Sequence, residues 1–262
     1  MLKPLLLIAH RGYSSEAPEN TFAAFDLAIE RGYRHIEFDV QLSRDGVPVI
    51  IHDETLERTT SGVGLVAEHS YAELAKLEAG SWFSESFADQ RVPSLEDFLN
   101  SYKDSAKLHL EIKSSEAELP QKIADLLVST GWAPARGQRA RYTALWRQRL
   151  VVSSYDRGQL LRSIKVMPKQ VIHELLVKRV SDESLRWAAA NGMRSYHPEG
   201  NDITPELVRR ARKLKLHVGA WWLTRQEQDA RSLAPAGVRY AYVDAPHLHR
   251  REPLLLKNWL LP

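Results

Sequence analysis

Residues 5–52 read LLLIAHRGYSSEAPENTFAAFDLAIERGYRHIEFDVQLSRDGVPVIIH. The apolar run Leu5–Ala9 has the length of a buried strand, and His35–Leu42 is a second. Between them, from Asn20 to Arg31, the residues Phe22, Phe25, Ala28 and Ile29 fall on one helical stripe. This is a strand–helix–strand unit of a parallel sheet. Val47–His52 follows the second strand too closely for a parallel crossover, so it folds back as a hairpin through Asp45-Gly46. Pairing about residues 43–46 sets His52 roughly opposite Glu37.

The same alternation continues outward. Apolar runs recur at Leu108–Ile112, Leu150–Ser154, Gln170–Leu175, Arg194–His197, His217–Leu223 and Tyr240–Val243. Helical patterns occupy 95–104, 116–130, 157–165, 181–191, 204–215 and 225–235. Ser94/Asp97, Ser70/Glu73 and Thr224/Glu227 have capping-box spacing, and Gly192 and Gly237 sit at helix ends. Eight strands alternating with helices predict an α/β TIM (β/α)8 barrel spanning 1–262 as one domain. The hairpin is its extra strand, and residues 53–93 form an insertion with a short helix near 71–77. A doubly wound sheet is the rival, but neither a GxGxxG turn nor a P-loop is present.

Composition narrows the chemistry. The chain has 262 residues, is 44% hydrophobic and 26% charged, and contains no cysteine. It is globular in character, and thiolate metal sites, disulfides and a cysteine nucleophile are excluded. A net charge of +3 is too small for a nucleic-acid footprint but suits an anionic substrate. The start MLKPLLLIAH is too short for a signal peptide, and no apolar run reaches 18 residues. A soluble, cytoplasmic protein is expected. Residues 131–149 carry five arginines, two tryptophans and no acid. They read either as a solvated basic segment or as a surface for peripheral contact with lipid headgroups.

Barrel chemistry gathers at the C-terminal ends of the strands. There the sequence places His10-Arg11, Glu37 and Asp39, His52-Asp53, and Glu111 and Lys113. Residues two apart on a strand share a face, so three carboxylates converge. They repel unless cations lie among them. Either Arg11, Arg34 and Lys113 compensate them, or a divalent ion does. All-oxygen ligands suit Mg²⁺, Mn²⁺ or Ca²⁺. His10 and His52 can give and take protons near neutral pH on opposite sides of a phosphorus centre. Arg11 and Lys113 supply the fixed positive charge that a phosphodiester needs. In the PENT tetrapeptide, Pro18 and Asn20 mark the helix start, with Asn20 able to cap it.

The order HRG, PENT, ExD, DG, HD and RTT over residues 10–64 resembles the N-terminal half of glycerophosphodiester phosphodiesterases of the bacterial cytoplasmic type. LHLEIKS is similar to the family's third-strand ExK motif, and VVSSYD, VGAWWLT and GVRYAYVDAP match later strands more weakly. The resemblance implies a TIM barrel that hydrolyses glycerophosphodiesters, small-molecule substrates, to glycerol 3-phosphate and an alcohol. It implies that Glu37, Asp39 and Glu111 hold Mg²⁺ or Ca²⁺, that His10 and His52 are the acid–base pair, and that Arg11 and Lys113 bind the phosphoryl oxygens. It also implies attack by the substrate's own 2-hydroxyl and a cyclic phosphate. Tyr155, Trp222, Thr224 and Val243 depart from the family pattern. Tyr155, His197 and Trp221 are candidates for the wall of the substrate pocket, or else simply core. Two other functions stay open: a lysophospholipase D favoured by segment 131–149, and a catalytically inactive metal-binding protein.

Overall fold

The computed structural model describes residues 5–103, 105–133, 150–222 and 230–246. Among the described residues nine strands form one sheet: β1 (Leu6–Ala9), β2 (His35–Leu42), β3 (Pro48–Ile50), β4 (Lys107–Ile112), β5 (Leu150–Ser154), β6 (Ile172–Leu176), β7 (Ser195–His197), β8 (His217–Ala220) and β9 (Tyr240–Val243). All but β3 are parallel to their neighbours, and β1 pairs with both β9 and β2, which closes an eight-stranded barrel. β3 adds antiparallel to the end of β2.

The helices follow the strands: α1 (Phe22–Glu30), α2 (Tyr71–Leu74), α3 (Leu95–Tyr102), α4 (Leu119–Ser129), α5 (Arg157–Val166), α6 (Asp182–Ala190) and α7 (Pro205–Lys213). Side-chain caps start most of them. Thr21, Ser70, Ser94, Asp156, Ser181 and Thr204 each accept a backbone N–H of the first turn. Ser70 and Glu73 complete a reciprocal capping box. The Thr224/Glu227 pair lies outside the described residues, and of the helix expected over 225–235 only a 3₁₀ turn at Ala230–Leu233 is described.

Two apolar layers hold helices to strands. Around α1 and α3, Phe25 meets Phe98 edge-on at 4.7 Å between ring centres, and Phe38 lies 4.3 Å from Phe98. The other half packs Leu185, Ala188, Leu207 and Ala211 against the outward faces of β6–β9. The insertion has its own small core of Ile51, Leu56, Val66, Leu74 and Val92, which returns to the barrel through a bridge between Val49 and Ser94.

The hairpin register corrects the sequence expectation by one residue. Val40 pairs with Ile50 and Leu42 with Pro48, which puts His52 past the end of β3 and level with Phe38 rather than Glu37. The turn is the reason. The Ser43 N–H bonds to the Val47 carbonyl, leaving a three-residue loop with Gly46 at φ 77°. The expected pairing of 43 with 46 leaves two residues in the loop, and lengthening it to three, residues 44–46, moves every partner by one.

Candidate active site

The turn after β1 builds the first side of the site. Arg11 adopts φ 55° and Gly12 φ 84°. A Cβ on Gly12 would come within 2.7 Å of the Ala24 backbone, so the turn lies directly on α1. The Arg11 N–H is thereby aimed at Glu37 Oε2, 2.9 Å away. Asn20 is also left-handed, at φ 59°, and its N–H donates to the Arg11 carbonyl. Its side chain donates to Asp39 Oδ2 at 2.9 Å. The cap of α1 is therefore Thr21, not Asn20, because Asn20 is spent on the carboxylate. A left-handed backbone at two residues with side chains is strained by about 1–3 kcal/mol each and persists only where its surroundings fix it.

Glu37 and Asp39 project from β2 into the barrel mouth, and Asp39 is in register with Glu111 on β4. Oxygens of the three buried carboxylates lie within 4.8 Å of one another. Lys113 Nζ is 3.0 Å from Glu111 Oε1 and 4.0 Å from Asp39 Oδ1. Arg11 reaches Asp39 Oδ2 at 3.3 Å but gives its shorter contact, 2.7 Å, to Glu19. Compensation is incomplete. Burial and the adjacent Asp39 charge push the Glu37 carboxyl up to about 8, and burial also raises Glu111. Asp39 is held well below the usual range: burial would raise it, but Arg11, His52 and Lys113 outweigh burial. Its Oδ1, fully buried, accepts no hydrogen bond. Three converging carboxylates with an unused lone pair are a donor set that fits a hard divalent cation.

Two imidazoles flank this cluster, each anchored through Nδ1. His10 Nδ1 is 2.7 Å from Asp244 Oδ1, and its Nε2 is 3.9 Å from Glu37 Oε2. His52 Nδ1 is 2.5 Å from Asp53 Oδ1, and its Nε2 is 3.1 Å from Lys113 Nζ. An ammonium has no lone pair, so where Lys113 donates, His52 Nε2 must accept. That places the His52 proton on Nδ1, toward Asp53. Burial lowers the His52 pKa. Burial would lower His10 too, as would Arg11, but the Asp244 hydrogen bond and the Asp244 and Glu37 charges lift it to about 9. Gln41 holds the backbone after β3, donating to the carbonyls of Ile51, His52 and Asp53.

A cavity of ≈ 620 Å³ opens over these groups. Its far wall is Tyr155, Leu176, Trp221 and Trp222, so two of the three expected wall residues face it. Tyr155 and Trp221 meet edge-on at 5.5 Å. His197 does not line the cavity. It is 0% exposed and turns into the barrel, where Nε2 meets Glu174 Oε2 at 2.9 Å. A Cβ at position 219 would strike that ring at 2.1 Å, so Gly219 is what admits it. Glu19 of PENT and Arg58 of RTT had no role assigned from the sequence, and they link Arg11 to Asp53 around the rim. Nor did the sequence assign a role to Asp244 or Asn20 beside the chemistry. Asp244 has its partner, His10, 234 residues away and Asn20 has Asp39 19 residues on, separations that no local pattern joins.

Most of segment 131–149 lies outside the described residues. Trp132, which is described, is buried and donates to the Leu99 carbonyl, so it is core and not a lipid-facing residue. Among the described residues no helix is long and apolar enough to cross a membrane.

The sequence profile of the glycerophosphoryl diester phosphodiesterase family matches residues 10–248. The chain is 36% identical over 242 residues to a glycerophosphodiester phosphodiesterase of Caldanaerobacter subterraneus, covering 92% of this chain and 94% of that one. It is 28% identical to a glycerophosphodiester phosphodiesterase of Bacillus subtilis, covering 94% and 86%. Among solved structures, an Oleispira antarctica phosphodiesterase in complex with the product sn-glycerol-3-phosphate superposes with a TM-score of 0.79 at 27% identity, covering 94% and 95%.

Proposed function

Since the chain belongs to the glycerophosphoryl diester phosphodiesterase family and is a glycerophosphodiester phosphodiesterase, we propose that its hydrolysis depends on a divalent cation held by Glu37, Asp39 and Glu111, and that His52 and His10 move the protons. The observation that carries this reading is the pair of Nδ1-anchored imidazoles on either side of a three-carboxylate cluster. Mg²⁺ or Ca²⁺, if bound there, would supply Lewis acidity and offset the developing negative charge.

The chain's own residues do the rest. Arg11 and Lys113 bind the phosphoryl oxygens. His52, with Nε2 unprotonated, takes the proton from the glycerol 2-hydroxyl as that oxygen bonds to phosphorus. His10, held as imidazolium by Asp244, gives its Nε2 proton to the departing alcohol oxygen as its bond to phosphorus breaks. The five-membered cyclic phosphate is then opened by water with the two roles exchanged, which yields glycerol 3-phosphate and restores both histidines. An internal nucleophile gains from proximity, with effective molarities that reach about 10⁵–10⁸ M in well-oriented cases. Tyr155 and Trp221 wall the pocket against bulk water. His197 stands behind that wall, its carbonyl accepting from the Trp221 indole at 3.0 Å.

The test is release of glycerol 3-phosphate from glycerophosphocholine and glycerophosphoethanolamine with Mg²⁺, with Ca²⁺ and with chelator. Turnover requires metal and falls about 10³-fold in kcat in His52→Ala, within the usual range for loss of a general base. Full activity in chelator, or in His52→Ala, contradicts the reading. Lysophosphatidic acid released from lysophosphatidylcholine, with no turnover of the two smaller substrates, moves the assignment to a lysophospholipase D.

A further inference from the structure

The cavity is larger than its reacting centre, and its two sides differ in charge accounting. Arg11 is paired with Glu19 and Asp39, Arg58 with Glu19 and Asp53, and Lys113 with Glu111. Lys178, two residues beyond β6, also lines the cavity and has no carboxylate within ion-pair distance among the described residues. Its Nζ lies 5.9 Å from the centre of the Tyr155 ring. Lys113 Nζ lies the same distance from the same ring. The two ammonium groups are therefore no further apart than twice that distance, with one at the carboxylate cluster and the other at the exposed rim. A phosphate at Lys113 carrying a short charged alcohol can span that gap.

Orientation follows from the chemistry. The glycerol 2-hydroxyl must reach the carboxylate cluster and His52, so the leaving alcohol points outward, toward the aromatic wall and Lys178. Resting on the reading of the site given above, we infer that Lys178 is a specificity-determining residue that selects glycerophosphodiesters whose alcohol carries an anionic group, such as a carboxylate, over those whose alcohol is purely cationic. The Tyr155 ring centre lies 5.9 Å from the ammonium and carries no negative charge to compete for it. A trimethylammonium group at the same place meets a like charge, which is unfavourable at short range.

Three substrates separate this from general attraction of anions. Glycerophosphoserine and glycerophosphoglycerol have the same net charge but only the first has a carboxylate, and glycerophosphocholine has a fixed cation. The readout is kcat/KM for each, expressed relative to glycerophosphoglycerol, in wild type, Lys178→Met and Lys178→Glu. The wild type ranks serine above choline. The relative value for serine falls about fivefold in Lys178→Met, the upper range for a partly exposed ion pair. It falls further in Lys178→Glu, where the relative value for choline rises. If glycerophosphoglycerol is hydrolysed and the ratios stay fixed in both variants, the selectivity inference fails alone, and Lys178 only steers anions. If the metal-loaded wild type hydrolyses none of the three, the reading of the site fails and the inference falls with it.

Discussion

The barrel interior holds buried acid at two levels, and the two are neutralised in different ways. At the mouth, Glu37, Asp39 and Glu111 crowd together with too few cations, Glu37 is pushed up to about 8 by burial and by Asp39, and Asp39 Oδ1 accepts no hydrogen bond. Deeper, Glu174 is 1% exposed yet fully served. It meets His197 at 2.9 Å and accepts from the Ser195 hydroxyl at 2.9 Å and the Tyr242 hydroxyl at 3.2 Å. Burial would raise its pKa, but His197, His109 and Ser195 hold it at about 2. A carboxylate satisfied from within is structure. Carboxylates left wanting a cation are what the proposed metal site rests on.

Glutamine substitutions break or sharpen this contrast. The largest effect is on activity: Glu37→Gln, in the presence of Mg²⁺ or Ca²⁺, lowers kcat/KM by at least about 100-fold, the upper range for loss of a supporting contact around a metal. The same variant behaves oppositely in chelator. A folded-state pKa raised above the ordinary 4.5 means that ionising Glu37 opposes folding, and the penalty grows as pH rises from 4.5 through about 8. Metal-free Glu37→Gln is therefore as stable as wild type or more so at pH 8, by urea denaturation.

Glu174→Gln goes the other way. The depressed pKa of Glu174 gives stability that is present above 4.5 and lost as pH falls toward about 2, because the unfolded chain binds the proton first. Removing the charge strands His197 and destabilises the protein at neutral pH by roughly 3 kcal/mol, as breaking buried pairs does. The slope of stability against pH between 4.5 and 2 becomes shallower. Equal destabilisation by both substitutions in chelator would erase the distinction between the two levels.

What was legible in the sequence follows the same division. The groups at the mouth stand out because acids, histidines and a lysine at strand ends violate the apolar habit of barrel strands. Helix and strand limits were readable from periodicity and caps, as at Ser70/Glu73 and His35–Leu42. Three misreadings have physical causes. Asn20 has the side chain of a helix cap, but a residue later Thr21 does that work and frees Asn20 for Asp39. Asp45-Gly46 marks the turn, but the loop holds three residues, 44–46, where pairing 43 with 46 leaves room for two, and this slips His52 by a position. His197 ends a strand, as a pocket residue would, yet alternation turns it inward to a glutamate on the neighbouring strand. Partnerships such as His10–Asp244 span 234 residues, and no local pattern announces them.

The central claim is that the three mouth carboxylates share one cation. The direct measurement is anomalous diffraction from crystals of the wild type and of Asp39→Asn grown with Mn²⁺, which stands in for Mg²⁺ or Ca²⁺ at oxygen sites. The account predicts one strong peak in the wild type, about 2.0–2.6 Å from oxygens of Glu37, Asp39 and Glu111, and its loss or marked weakening in the variant. A peak elsewhere, with those carboxylates bonded only to Arg11 and Lys113, would contradict it.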